Sequence, residues 1–92
     1  MTSLEAPTKL LLVDDLEENL LALEALLRRE SLSFLRARSG EEALELLLSH
    51  DVALALLDVQ MPGMDGFQLA EYMRGNTRTR HVPIIFVTAG SS

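Results

Sequence analysis

Short apolar runs alternate along this chain with segments whose apolar residues recur every three or four positions, and two of the runs end on aspartate. That alternation is the pattern of βαβ units feeding a parallel sheet, so it restricts the chain to the α/β class. "KLLLVDD" (9–15) is the first run, closed by two acids. Beyond it Leu16, Leu20, Leu23 and Leu27 fall on one helical stripe, with Glu17, Glu18, Arg28 and Arg29 off it. "SFLRARS" (33–39) alternates apolar with polar and predicts a strand at the sheet edge. "SGEEALELLLSH" (39–50) opens a second helix, with Ser39 and Glu42 spaced as a capping box ahead of Ala43, Leu44, Leu47 and Leu48. "DVALALLD" (51–58) is apolar at every interior position, which predicts a central strand buried on both faces. Asp65 and Gln68 repeat the capping spacing before a short helix carrying Phe67, Leu69, Ala70 and Met73 and ending near Gly75. The final run, "VPIIFVTAGSS" (82–92), completes the order β-α-β-α-β-α-β. One domain is expected, with residues 1–8 as a tail.

Composition narrows the chemistry. A formal charge of -6 across 92 residues, with three Phe and one Tyr, lacks the basic stripe and stacking aromatics of a nucleic-acid surface. Without cysteine there is neither a disulfide framework nor a thiolate metal site. The start "MTSLEAPTK" does not read as a secretory signal, and no run has the length to span a bilayer, so a cytoplasmic location is expected, with no direct nucleic-acid or membrane partner.

In a parallel sheet wound through helices, ligands bind outside the carboxyl ends of the strands. Asp14 and Asp15 close the first predicted strand, Asp58 the third and Thr88 the fourth. If the first and third strands are neighbours, three carboxylates converge, and such a group calls for a hard cation with oxygen ligands, for which Mg²⁺ is suited. Each residue also has a plainer role available. Asp15 with Glu18 spells a capping box for the first helix, Asp58 could simply end a strand, and Thr88 is a good strand residue. Capping alone does not account for all four at strand ends.

The paired acids in "LLLVDDLEEN", the stretch "LLDVQMPGMDGF" (56–67) and "VPIIFVTA" (82–89) together resemble the receiver domain of two-component response regulators, from about Lys9 to Ala89. The resemblance implies a flavodoxin-like parallel sheet, here with strand order 2-1-3-4. It implies phosphoryl transfer from the phosphohistidine of a histidine kinase or histidine phosphotransfer protein to Asp58. Asp14, Asp15, Asp58 and the main-chain carbonyl of Gln60 would hold Mg²⁺ or Mn²⁺, Thr88 would bind a phosphoryl oxygen and report phosphorylation, and the small Ala89 would leave the approach open. An output domain would accompany the receiver in a full-length regulator. On this reading Pro62 and Gly63 fold the loop after Asp58 back over the site, and Asp65 only caps a helix.

The pattern also departs from the family. Complete receivers continue with a final helix, strand and helix, the strand ending in a lysine, and the 92 residues contain only Lys9, at the start of the first strand. The expectation is a truncated form with impaired phosphorylation and switching, whose apolar fourth strand (Ile84, Ile85, Phe86, Val87) self-associates, for instance as a dimer. A non-catalytic interaction or assembly module on the same scaffold is the alternative. A phosphatase of the haloacid-dehalogenase type would need an acid where Gln60 stands, and the glycine-rich nucleotide motifs are missing. His50, His81 and the basic "RGNTRTRH" (74–81) read as solvated, and Met61 and Met64 as loop packing.

Overall fold

The computed structural model describes residues 7–88. Its elements follow the order β1 (Thr8–Val13), α1 (Glu17–Leu27), β2 (Leu32–Ala37), α2 (Gly40–Leu47), β3 (Leu54–Asp58), α3 (Gly66–Arg74) and β4 (Ile84–Val87). All three ladders are parallel, and the sheet runs β2-β1-β3-β4. The two most continuous apolar runs therefore lie in the middle, as a strand covered on both faces must. The alternating β2 lies at one edge, and among the described residues β4 forms the other.

Side chains along β1 and β3 alternate between two apolar layers, because successive strand residues point to opposite faces. Leu11, Val13, Ala55 and Leu57 face the larger layer, completed by Ala43 and Leu47 of α2 and Leu69 and Met73 of α3. Leu12 and Leu56 face the smaller one, under Leu20, Leu23 and Leu27 of α1. One helix on one face and two on the other is the layering expected of a doubly wound sheet. No helix among the described residues is long and apolar enough to cross a membrane.

Helix starts follow the sequence in two cases of three. Asp65 and Gln68 exchange both hydrogen bonds of a capping box, the Gln68 N–H donating to Asp65 Oδ1 at 2.8 Å and the Asp65 N–H to Gln68 Oε1 at 3.0 Å. Ser39 Oγ accepts from the Glu42 N–H at 3.0 Å, but the Glu42 carboxylate takes the Arg38 N–H instead of that of Ser39. At α1 the expected pairing of Asp15 with Glu18 does not form. The N-cap is Leu16, without a side-chain cap, and its N–H donates to Asp14 Oδ1 at 2.9 Å. Asp14 directly follows β1 and its carboxylate takes the Leu16 N–H, so the helix starts without a side-chain cap from Asp15.

Other departures are local. Leu16 is 45% exposed rather than part of the packed stripe, and Phe67 is 54% exposed, resting on Phe86 of β4 with ring centroids 4.8 Å apart. Pairing stops sooner than the apolar runs do: β3 begins at Leu54, not 51, and β4 begins at Ile84, after Pro83, whose ring nitrogen cannot donate to a ladder. Residues 74–81 are exposed, as their charges suggest, except Thr79. Buried Thr79 donates its hydroxyl to the Met73 carbonyl at 2.7 Å, and Arg78 reaches the Leu48 carbonyl at 2.6 Å and Asp51 at 3.0 Å. His50 is half-buried beside Lys9, 3.3 Å from Nζ to Nδ1, while His81 is exposed.

Candidate functional site

The register brings the acids together. Val13 of β1 lies opposite Leu57 of β3, so the next step of each strand sets Asp14 beside Asp58 at the carboxyl edge. Asp58 in turn lies opposite Val87, which places Thr88 one step beyond it. Asp15 begins the turn into α1. One carboxylate oxygen from each of Asp14, Asp15 and Asp58 lies within 4.8 Å of the others. Asp14 and Asp58 are buried, at 4% and 6% exposure, and Asp15 is partly so.

The surroundings supply neutral donors rather than counter-charges. Asp14 accepts from the Leu16 N–H and from the Asn19 side-chain amide, whose Nδ2 lies 3.3 Å from Oδ1 and 3.2 Å from Oδ2. Asp58 Oδ1 accepts from the Gln60 N–H at 3.2 Å. None of the ion pairs among the described residues involves these acids. Arg38, just after β2, comes near but donates to the Asp15 main-chain carbonyl, at 3.3 Å from Nε and 3.0 Å from Nη2. Burial pushes the Asp58 carboxyl above the ordinary aspartate range, and the negative charges of Asp14 and Asp15, with the closeness of the Asp15 carboxyl, push the same way. The Gln60 N–H opposes this without reversing it.

Three hard oxygen donors that repel one another, with no cationic side chain paired to them among the described residues, fit a small divalent ion that holds oxygen at about 2.1 Å. Thr88 is exposed at the mouth and shares a cavity of about 170 Å³ with Asp14, Asn19, Leu23 and Val87. Gln60 is also exposed, at the start of the loop leaving Asp58. Ala89 lies outside the described residues.

That loop is shaped by its glycines and methionines. Gly63 has φ of 74°, a left-handed conformation that side chains resist. Met61 is buried in the larger core layer and Met64 packs against it, in keeping with a packing role for both. Gly66 is the residue the sequence argument overlooked. Its N–H donates to the Val59 carbonyl at 3.1 Å, and a Cβ there would collide with the Asp58 carbonyl and come within 3.0 Å of its carbon. α3 therefore begins directly against the end of β3. Asn19 was overlooked too; its signal was an amide in the first turn of α1, where side chains lean back toward the helix start and so toward Asp14.

The family model of the response regulator receiver domain matches residues 10–92. The response regulator PleD of Caulobacter vibrioides is 40% identical over 81 residues, spanning 88% of this chain and 18% of its own length. The polar-differentiation response regulator DivK of Brucella anthropi is 32% identical over 83 residues, spanning 90% of this chain and 68% of its own. Thus the chain covers under a fifth of one relative and about two thirds of the other. Among solved structures, the response regulator TrrA of Thermotoga maritima, determined in complex with Mg²⁺-BeF, superposes with a TM-score of 0.81 at 33% identity, covering 91% of this chain and 71% of that one. The family model over residues 10–92 and the identity with DivK over two thirds of its length lead to one conclusion: this chain belongs to the response regulator receiver family.

Proposed function

We propose that Asp58 accepts a phosphoryl group from the phosphohistidine of a histidine kinase or histidine phosphotransfer protein. The convergence of Asp14, Asp15 and Asp58 at one sheet edge is the observation that carries this reading. An Asp58 oxygen attacks phosphorus in line, an aspartyl O–P bond forms, and the donor's P–N bond breaks. β3 holds the attacking group rigidly, which matters because phosphoryl transfer depends mostly on positioning and charge neutralisation. Asp14, Asp15, Asp58 and the Gln60 main-chain carbonyl would hold Mg²⁺, or Mn²⁺; once bound, the ion supplies positive charge to the carboxylates and the phosphoryl oxygens. A relative determined in complex with Mg²⁺-BeF supports this assignment. Thr88 donates its hydroxyl to a phosphoryl oxygen.

Incubation with acetyl phosphate and Mg²⁺, followed by intact-mass measurement, should add one phosphoryl group. Omitting Mg²⁺ or introducing Asp58→Asn should abolish the adduct, whereas an adduct that persists in Asp58→Asn would refute the assignment.

A second reading, an assembly module, is favoured by β4. Ile85 and Phe86 are 50% and 41% exposed on a strand whose outer edge is unpaired among the described residues. Such an edge is a template for another strand, so this form is expected to self-associate as concentration rises. Sedimentation velocity that finds a folded monomer at high concentration would reject it.

A further inference from the structure

Asp14 poses a physical problem that the rest of the site does not solve. It is more deeply buried than Asp58, stands beside two other carboxylates and has no cationic partner among the described residues. A buried charge of this kind is tolerated only when its lone pairs are occupied. Two groups occupy them. One is the main-chain N–H of Leu16, fixed by the turn into α1; the other is the Asn19 amide, whose single nitrogen sits nearly equidistant from both carboxylate oxygens.

We infer that Asn19 is a positioning residue for metal binding: its side-chain amide fixes the orientation of the Asp14 carboxylate while leaving the negative charge of the acidic group uncancelled. This deepens the function proposed above, since it rests on Asp14 serving as a metal ligand. Neutrality is the essential property. A lysine or arginine at position 19 would also satisfy Asp14, but its charge would oppose that of a divalent ion in the same small volume. An amide donates without contributing charge. The arrangement is that of a partner standing behind a metal ligand, where loss of the orienting hydrogen bond weakens the metal although no ligand is removed. Position also favours the role. α1 is fastened to the sheet by Leu20 and Leu23, and Asn19 lies in its first turn, so the amide is delivered by a packed element rather than by a mobile loop.

Asn19→Leu keeps a side chain of similar size and improves helix propensity while removing the donor. Asn19→Gln keeps the amide on a longer arm. Free Mn²⁺ measured by electron paramagnetic resonance, with Mg²⁺ as competitor, gives the affinity of the wild-type chain and both variants without reference to phosphorylation. Thermal unfolding in EDTA gives their stability without metal. The expected result is an affinity about tenfold weaker in Asn19→Leu, partly restored in Asn19→Gln, with the metal-free unfolding temperature of Asn19→Leu lowered only slightly, because better helix propensity partly offsets the donor lost to Asp14. Wild-type binding that Asn19→Leu leaves intact would overturn this inference alone. Absence of binding by all three proteins would overturn the metal assignment and this inference with it. An affinity that falls only alongside a markedly lowered metal-free unfolding temperature, with Asn19→Gln no better, would make Asn19 a structural residue and overturn the positioning role.

Discussion

Gly66→Ala is expected to destabilise the fold by about 2–3 kcal/mol, at the upper end of the range for forcing a methyl group into a filled space. The methyl would meet main-chain atoms of Asp58 and Val59, not the end of a movable side chain. Relief requires α3 to move away from β3, which would break the 3.1 Å hydrogen bond from the Gly66 N–H to the Val59 carbonyl and shift Leu69 and Met73 in the core. For a domain of this size the cost corresponds to a fall of roughly 10–20 °C in Tm. Gly40→Ala provides the control. There the added methyl meets only the side chain of Met64, whose thioether can rotate aside, so its loss should be well under half as large. Urea denaturation of the two variants measures the difference, and equal losses would contradict the account of the β3–α3 junction.

Asp58→Asn should stabilise the metal-free chain at neutral pH by on the order of 1 kcal/mol, a typical single-substitution effect with the unusual sign. Burial, joined by the charges of Asp14 and Asp15, raises the Asp58 pKa in the folded state, so above that value the ionised carboxylate is less comfortable folded than unfolded. As pH falls through the raised folded value, the native state takes up its proton first and the penalty begins to lift. Below the ordinary unfolded value of about 3.9 it has gone. The advantage of Asp58→Asn over wild type is therefore largest near neutrality and vanishes toward about pH 4. The asparagine oxygen can still accept from the Gln60 N–H, so that contact does not confuse the comparison. Denaturant titrations in EDTA from neutral to acid pH give the profile. Adding Mg²⁺ should invert the ranking, because binding to the native state stabilises wild type more than a variant that has lost one ligand. A variant less stable than wild type at neutral pH without metal would contradict the electrostatic account.

Much of this protein was legible in its order of residues. Alternating periodicities called for a parallel βαβ sheet, the runs with no polar face went to its centre, and the acids at the ends of two such runs could only lie along one edge. Asp65 and Gln68 formed the capping box that their spacing promised, since a cap involves residues within one turn and little else. Where the sequence misled, a competing partner from another element had entered. At the start of α1 the N–H of Leu16 is held by Asp14, which follows directly on β1, and Asp15 forms no side-chain cap. Phe67, apolar and at the start of a helix, faces outward against Phe86 because the interior below α3 is filled by Leu69 and Met73. Thr79 looked like a solvated loop residue until the Met73 carbonyl came within its reach.

The same division runs through the site. Residue type and spacing by themselves determined the sheet, its carboxyl edge and the chemical identity of the acids, because strand and helix periods are local properties of the chain. Tertiary structure alone decided that Asp14 falls in step with Asp58, that Asn19 turns its amide onto both oxygens of Asp14, and that only glycine fits at position 66. Register, orientation and clearance are set by elements distant in sequence pressing on one another, and no local period encodes them.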